Sequence, residues 1–408
     1  MSFASLDNLD AQVVGNRGDL LGLAIKTTFL TVITCGIYSF WSRTRIRRWL
    51  WSTFHVGGAP LEYRGRPMEK LMGFVIAACI VATYLGIVVM VLIFLSLNIF
   101  NNILAGIVAS IICVLPVYWF ARYRGMQYLM NHTEWRGLSF SMAPGAWGHA
   151  RLASTWTVIT LMTAGLALPW RTHHLWKYRV DRTFYGDTPF RLDNSAWPLA
   201  RAWLPNWLGL VACTALWAAA LASFDPTGPV NLPVGTAVLI TVSMPIAALW
   251  LWVRWRVRSY ERLISAVQWG DGVRMTVAPK VGRIVVIHLG GWIIVGALLL
   301  GALIGVGMAF GFLAFGGVVL ENLEQEVLGG GAISPYILFG GGLLIYLAFF
   351  LLRGTFRLAF VTFPLIRHVG ETLAVSGAAE VGAAKQGARQ HMADADGFAN
   401  LFDLGAGI

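Results

Sequence analysis

The residues best able to bind something in this chain are basic and aromatic. Arg43, Arg45, Arg47 and Arg48 form one close group, and Arg171, His173, His174 and Lys177 form a second. Guanidinium and ammonium groups at this density suit phosphate, as forked or point donors to anionic headgroups. Neighbouring side chains on a helix face different ways, so the His173-His174 doublet is a poor two-nitrogen metal site and reads as headgroup contact. The parts of an enzyme are missing. No HExxH, GxxxxGKS/T or GxSxG segment occurs. Cys35, Cys79, Cys113 and Cys213 stand singly in apolar runs, as packed thiols do. The expectation is a non-enzyme with no cofactor and no metal.

The elements that position these groups belong to a membrane protein. Of 408 residues 57% are hydrophobic and 12% charged, with a mean hydropathy of +0.65. Soluble domains carry about 25% charged residues. Apolar runs at 71–98, 103–121, 205–224, 233–253, 284–320 and 334–352 pair into three hairpins, and each approaches or exceeds the ~20 residues that cross a bilayer. The connections at 99–102, 225–232 and 321–333 hold no Lys or Arg, whereas Arg43–Lys70, Arg122–Arg151, Arg171–Arg201 and Arg254–Arg283 hold most of them. Short basic loops stay in the cytoplasm. The net charge of +11 is therefore an orientation signal first and a headgroup-binding surface second, and nucleic acid is not an expected partner. Both termini are placed in the cytoplasm.

Two further apolar segments, 20–41 and 152–170, are each followed by basic sequence. Full crossing of 152–170 would leave several arginines outside, so both are read as embedded partial spans that turn at Gly36 and Gly165. Ordinary spanning helices with one exception to the charge rule are the alternative. Lys26 lies deep in the first segment, where it either meets an anionic group in a wet vestibule or snorkels to the surface. The long run 284–320 must tilt or break, with Gly311 and Gly316-Gly317 as the expected breaks. Gly301/Gly305 and Gly307/Gly311 give GxxxG spacings that suit close helix packing. His288, just inside this run, reads as a hydrogen-bonded interhelical residue. The spans hold no Asp or Glu, which lowers the expectation of ion-coupled transport.

The chain repeats itself. TCGIYSFW (Thr34–Trp41) returns as TAGLALPW (Thr163–Trp170), aligning Gly36 with Gly165, Trp41 with Trp170 and Pro60 with Pro189. A second unit, Trp119–Pro144, returns as Val253–Pro279, aligning Arg122 with Arg254 and Arg124 with Arg256 at a basic cytoplasmic rim. A degenerate third copy follows at Phe356–Gly377. Segments 138–142, 273–277 and 373–375 alternate with period two, as strands do. With APLEYRG and DTPFRL they predict a small cytoplasmic β cap.

These motifs, the Thr-x-Gly…Trp turn followed by basic-aromatic sequence and RYRGMQYL before RGLSF, resemble the YjgN-like family of bacterial inner-membrane proteins over residues 17–377. The tail is similar to that of its alphaproteobacterial branch. The resemblance implies an inner-membrane location and brings no activity or catalytic residue. It also suggests a membrane-associated zinc metallopeptidase as a partner, since family members are sometimes encoded beside one.

The expected fold is an all-α polytopic membrane protein. It has three transmembrane hairpins, two embedded partial spans and small cytoplasmic β elements, divided as 1–19, 20–144, 145–279, 280–377 and a tail at 378–408. The expected function is a non-catalytic membrane organiser or adaptor that binds anionic lipid and a partner protein. A permease or lipid-translocating protein with its pathway between repeats is the alternative.

Overall fold

The computed structural model describes residues 8–224, 230, 232–270, 272–327, 342, 346 and 349–377. Its helices come in hairpins of two lengths. The short ones are α1 (Arg17–Ile33) with α2 (Ser39–Thr53), and α5 (Ala146–Met162) with α6 (Leu168–Val180). The long ones are α3 (Pro67–Phe100) with α4 (Ile103–Asn131), and α7 (Trp197–Ala222) with α8 (Val234–Ser265). Beyond them lie α9 (Val281–Val327) and α10 (Phe349–Gly370). The helices α3, α4, α7, α8, α9 and α10 are long and apolar enough to cross a membrane. Their outer faces expose Met90, Phe94, Leu104, Leu239 and Ile293, a belt that only lipid can cover. The protein is a multi-pass membrane protein.

The all-α expectation is overturned. Ten short strands close into an antiparallel barrel in the order β1-β10-β9-β8-β7-β6-β5-β4-β3-β2. The five segments read as strands from their alternation are β3 (Ala59–Tyr63), β5 (Leu138–Met142), β7 (Thr188–Leu192), β9 (Val273–Val277) and β10 (Leu373–Ser376). Their partners β2 (Phe54–Val56), β4 (Thr133–Trp135), β6 (Thr183–Tyr185) and β8 (Val267–Trp269) are three residues each. Such strands are too short to show a period and follow directly on helices. The last partner, β1 (Asn8–Val13), lies in the stretch assigned to an N-terminal cytoplasmic segment, and pairs Asn8 with Ser376. Two-residue turns need left-handed backbone. Gly57 and Gly58 (φ 54° and 76°) supply it between β2 and β3, and Arg136 and Gly137 (φ 49° and 78°) between β4 and β5.

Side chains fill the barrel. One cluster draws on every strand, and Trp135, Tyr185 and Trp269, each the last residue of its strand, meet at ring-centre distances of 4.9–6.1 Å. The Tyr185 hydroxyl donates to the Trp135 carbonyl at 2.9 Å. On the helix side Leu199, Leu263 and Trp176 pack onto the same cluster. Aromatic rings that each bury roughly 150–250 Å² dominate such a core.

Every helical hairpin therefore starts and ends at the barrel. The segments 20–41 and 152–170 turn at the expected glycines: each is the outgoing arm and tip of a short hairpin, which turns where Cys35 and Gly36 (φ 48° and 95°) and Ala164 and Gly165 (φ 47° and 87°) are left-handed. Both arms return to the side from which they came. The long run 284–320 does not break, because α9 continues through Gly311 and Gly316-Gly317. A helical glycine costs only about 1 kcal/mol, and in lipid a broken helix leaves backbone groups unpaired. No atom lies near an added Cβ at Gly301 or Gly305, so that spacing packs no described intrachain contact. His288 bonds its own helix through the Ile284 carbonyl at 2.9 Å, in place of the expected interhelical bond. Most of the run 334–352 and the whole tail lie outside the described residues.

Candidate anion-binding site

Three helices contribute to the site: α4, α8 and α6, the return arm of the second short hairpin. From α4 come Trp119 and, one turn on, Arg122. Arg171, Trp176 and Arg179 come from α6, and Trp255, Arg256 and Tyr260 from α8. The Trp119 ring carries two guanidinium groups, Arg171 at 5.2 Å and Arg122 at 5.5 Å from its centre. A second aromatic pair, Trp176 and Tyr260 (5.7 Å apart), carries Arg179 at 5.4 Å from Trp176 and Arg256 at 5.4 Å from Tyr260. The arginines lie against aromatic faces, which hold a cation by the ring quadrupole and leave the N–H edges directed elsewhere.

The electrostatics of this group are one-sided. Among the described residues none of the four arginines makes an ion pair, and the paired carboxylates sit elsewhere: Glu134 with Arg64 at 2.8 Å, Asp181 with Lys177 at 3.1 Å and Glu371 with Arg367 at 2.8 Å. Burial pushes the Arg179 guanidinium down to about 10, with Arg122's charge adding and Tyr260 opposing. Arg171 is lowered by burial and then by Arg122 and Arg256. Both remain cations at neutral pH, held in mutual repulsion. Arg171 Nε and the indole nitrogens of Trp119, Trp176 and Trp255 are buried with no hydrogen-bond partner among the described residues. Next to them is His149 of α5, 2% exposed, with its ring 6.2 Å from Trp119 and 5.2 Å from Tyr123. Burial, reinforced by Arg179, lowers its pKa to about 4; a bond to the Trp119 backbone opposes this, and Arg122 lowers it further.

The depth of the site follows from helix geometry. Trp119 stands ~24 Å from the start of α4, and Arg256 ~33 Å from the start of α8, at 1.5 Å per residue. Those distances bracket the ~30 Å of a hydrocarbon core. The tip of the neighbouring hairpin lies near the same level. There the Trp203 and Trp207 indoles of α7 donate to the Gly165 and Ala164 carbonyls at 3.0 and 2.9 Å.

Of the residues singled out from the sequence, Arg122, Arg171 and Arg256 meet here. Arg179 was missed, although it follows Arg171 by two turns on the same helix face. Arg124 and Arg254 stack on aromatic residues of their own helices, Phe120 at 5.9 Å and Trp250 at 5.3 Å. Lys26 is exposed on α1. On α2, Arg45 lies 5.7 Å from the Tyr38 ring centre and Arg48 donates to the Gly65 carbonyl at 3.1 Å, with Arg43 and Arg47 alongside. His173 bonds Asn194 through its carbonyl at 2.9 Å, His174 bonds the Trp170 carbonyl at 2.8 Å, and Lys177 donates to the Leu192 carbonyl at 2.5 Å. Trp41 stacks on Tyr38, and Trp170 meets Trp197 edge-on at 6.0 Å.

Residues 9–304 match a family described as bacterial protein of unknown function, DUF898. The chain belongs to this family. It comprises the YjgN-like proteins, so the DUF898 match and the resemblance drawn from the sequence motifs name the same family. No curated protein and no solved structure matches the DUF898 chain. The matched stretch contains the whole arginine cluster, eight of the ten barrel strands entire and all of β1 but its first residue.

Proposed function

We propose that this protein is a non-catalytic organiser of the bacterial inner membrane that holds anionic lipid headgroups and docks a partner protein. The observation that carries this reading is the cluster of Arg122, Arg171, Arg179 and Arg256, with no carboxylate in ion-pair contact among the described residues. It lies at the depth where helix geometry puts lipid phosphates. The basic connections adjoin the barrel and the connections at 99–102 and 225–232 lack Lys and Arg, which supports a barrel on the cytoplasmic side. A barrel interior packed with side chains, Trp135, Tyr185 and Trp269 among them, supports an organiser, and a permease or lipid-translocating protein with its pathway between repeats is the alternative. The barrel's outer wall, with Asp10, Glu62, Arg191 and Arg274 exposed, is the polar surface offered to a partner. A membrane-associated zinc metallopeptidase is the first candidate.

The test uses the chain's own fluorophores. Protein reconstituted in vesicles doped with brominated phosphatidylglycerol or brominated phosphatidylcholine is expected to lose more tryptophan fluorescence with the anionic lipid, and high salt is expected to shrink the difference. Equal quenching by both lipids refutes the reading. Reproducible solute flux or lipid scrambling in the same vesicles would replace it with a transport function.

A further inference from the structure

We infer that the arginine cluster is a discrete site for one group bearing two or more negative charges on phosphate oxygens, as in a phosphomonoester headgroup or a soluble diphosphate. This deepens the headgroup-binding reading and rests on it. Charge sets the class of ligand: a phosphodiester headgroup with one negative charge leaves most of the cluster uncompensated, in a partly desolvated place where repulsion is felt strongly. Donor geometry agrees. Guanidinium groups give forked N–H bonds to phosphate oxygens. Arg179 keeps its Nη donors beyond the Nε bond to the Leu175 carbonyl at 2.9 Å, and Arg122 spends one Nη on the Tyr118 hydroxyl at 3.3 Å. Arg171 Nε and Trp119 Nε1 are buried donors with no hydrogen-bond partner among the described residues.

The internal repeat shows that the cluster is not a by-product of orientation. In the alignment that matches Trp41 with Trp170, Arg171 corresponds to Ser42 and Arg179 to Leu50. The first short hairpin satisfies the charge rule with Arg43, Arg45, Arg47 and Arg48 and lacks both residues. On the flanking helices Arg122 corresponds to Arg254 and Arg124 to Arg256, yet Arg122 and Arg256 are the two that meet α6. The gathering therefore belongs to one place in the ring and breaks the repeat to form.

The experiment titrates delipidated full-length protein in detergent, at fixed ionic strength, with three probes: short-chain phosphatidic acid, short-chain phosphatidylglycerol and inorganic pyrophosphate. Phosphatidic acid is expected to bind with one-to-one stoichiometry and about tenfold more tightly than phosphatidylglycerol. Arg171→Gln and Arg256→Gln are each expected to weaken it about tenfold, the scale of one charge-assisted hydrogen bond. The pair Arg191→Gln/Arg274→Gln on the barrel wall is expected to leave it within twofold. Arg256 is exposed and makes no described hydrogen bond to its surroundings, so its variant keeps the test valid if Arg171→Gln misfolds. Competition by pyrophosphate supports the site with a soluble ligand, and binding of phosphatidic acid without such competition supports it with a lipid headgroup. Equal affinity for the two lipids, or equal losses in the cluster and barrel-wall variants, overturns the site. Anionic-selective quenching in vesicles would then still leave the organiser reading standing. Phosphatidic acid preference and pyrophosphate binding that are both lost in the cluster variants, found together with equal quenching by the two vesicle lipids, would leave the site standing and remove the organiser reading.

Discussion

His149 gives a stability prediction whose sign and size both follow from its surroundings. The ring is 2% exposed, packed among Trp119, Tyr123 and Tyr178, and burial holds its pKa at about 4 against an ordinary 6.5. Above pH 6.5 the folded and unfolded chains both carry a neutral imidazole, and His149 makes stability independent of pH. Between pH 6.5 and 4 the unfolded chain takes up a proton that the folded one refuses, so stability falls as the medium is acidified. The loss levels off below pH 4. The size is the pKa difference multiplied by about 1.36 kcal/mol per unit, or about 3 kcal/mol in all. Purified protein and a His149→Phe variant would be unfolded by denaturant in micelles at pH 7 and pH 4, followed by tryptophan fluorescence. The acid-induced loss is expected to be smaller in the variant by about that amount, with paired carboxylates contributing equally to both proteins. Identical losses would show that His149 does not titrate against burial and would refute the account.

Three other changes probe the frame that holds the site. Trp269→Ala removes a ring in contact with Trp135, Tyr185 and Phe190 and is expected to cost about 3–5 kcal/mol; a lowered melting temperature with helical circular dichroism retained would show that the barrel loosens before the spans. Gly106→Val puts a Cβ 2.9 Å from the Ile93 Cα, so α3 and α4 must separate, and a disulfide engineered between their far ends is expected to form more slowly. Trp203→Phe with Trp207→Phe deletes both indole bonds to the tip of the second short hairpin. About 1 kcal/mol is expected for each bond, read as increased labelling of a cysteine placed at Gly165.

The sequence disclosed those parts of the fold in which each segment is long enough to carry its own pattern. Paired apolar runs marked the long hairpins. Five-residue strands alternated visibly, and the Gly36 and Gly165 turns stood out because they recur in the repeat. Closure of the barrel was not legible. The three-residue strands β2, β4, β6 and β8 show no period of their own, and β1 pairs with residues from the opposite end of the described chain. The site was half legible for a similar reason. Arg122, Arg171 and Arg256 are conspicuous as charges, but their meeting is a matter of which helices touch. The histidine pair drew attention by adjacency, yet each ring is spent on a local bond, whereas His149 stands alone in sequence and ends up against the cluster.

The pairing of β1 with β10 has a consequence for how the molecule is made. The strand β1 leaves the ribosome long before β10, and its open side is satisfied only when that strand has been made. Every intervening hairpin can enter the bilayer in the meantime, but the ring locks only when translation has passed Ser376. A chain released before β10 would keep β1 paired with β2 but open along its other edge, a sticky flag by which proteases and chaperones sort unfinished copies from complete ones.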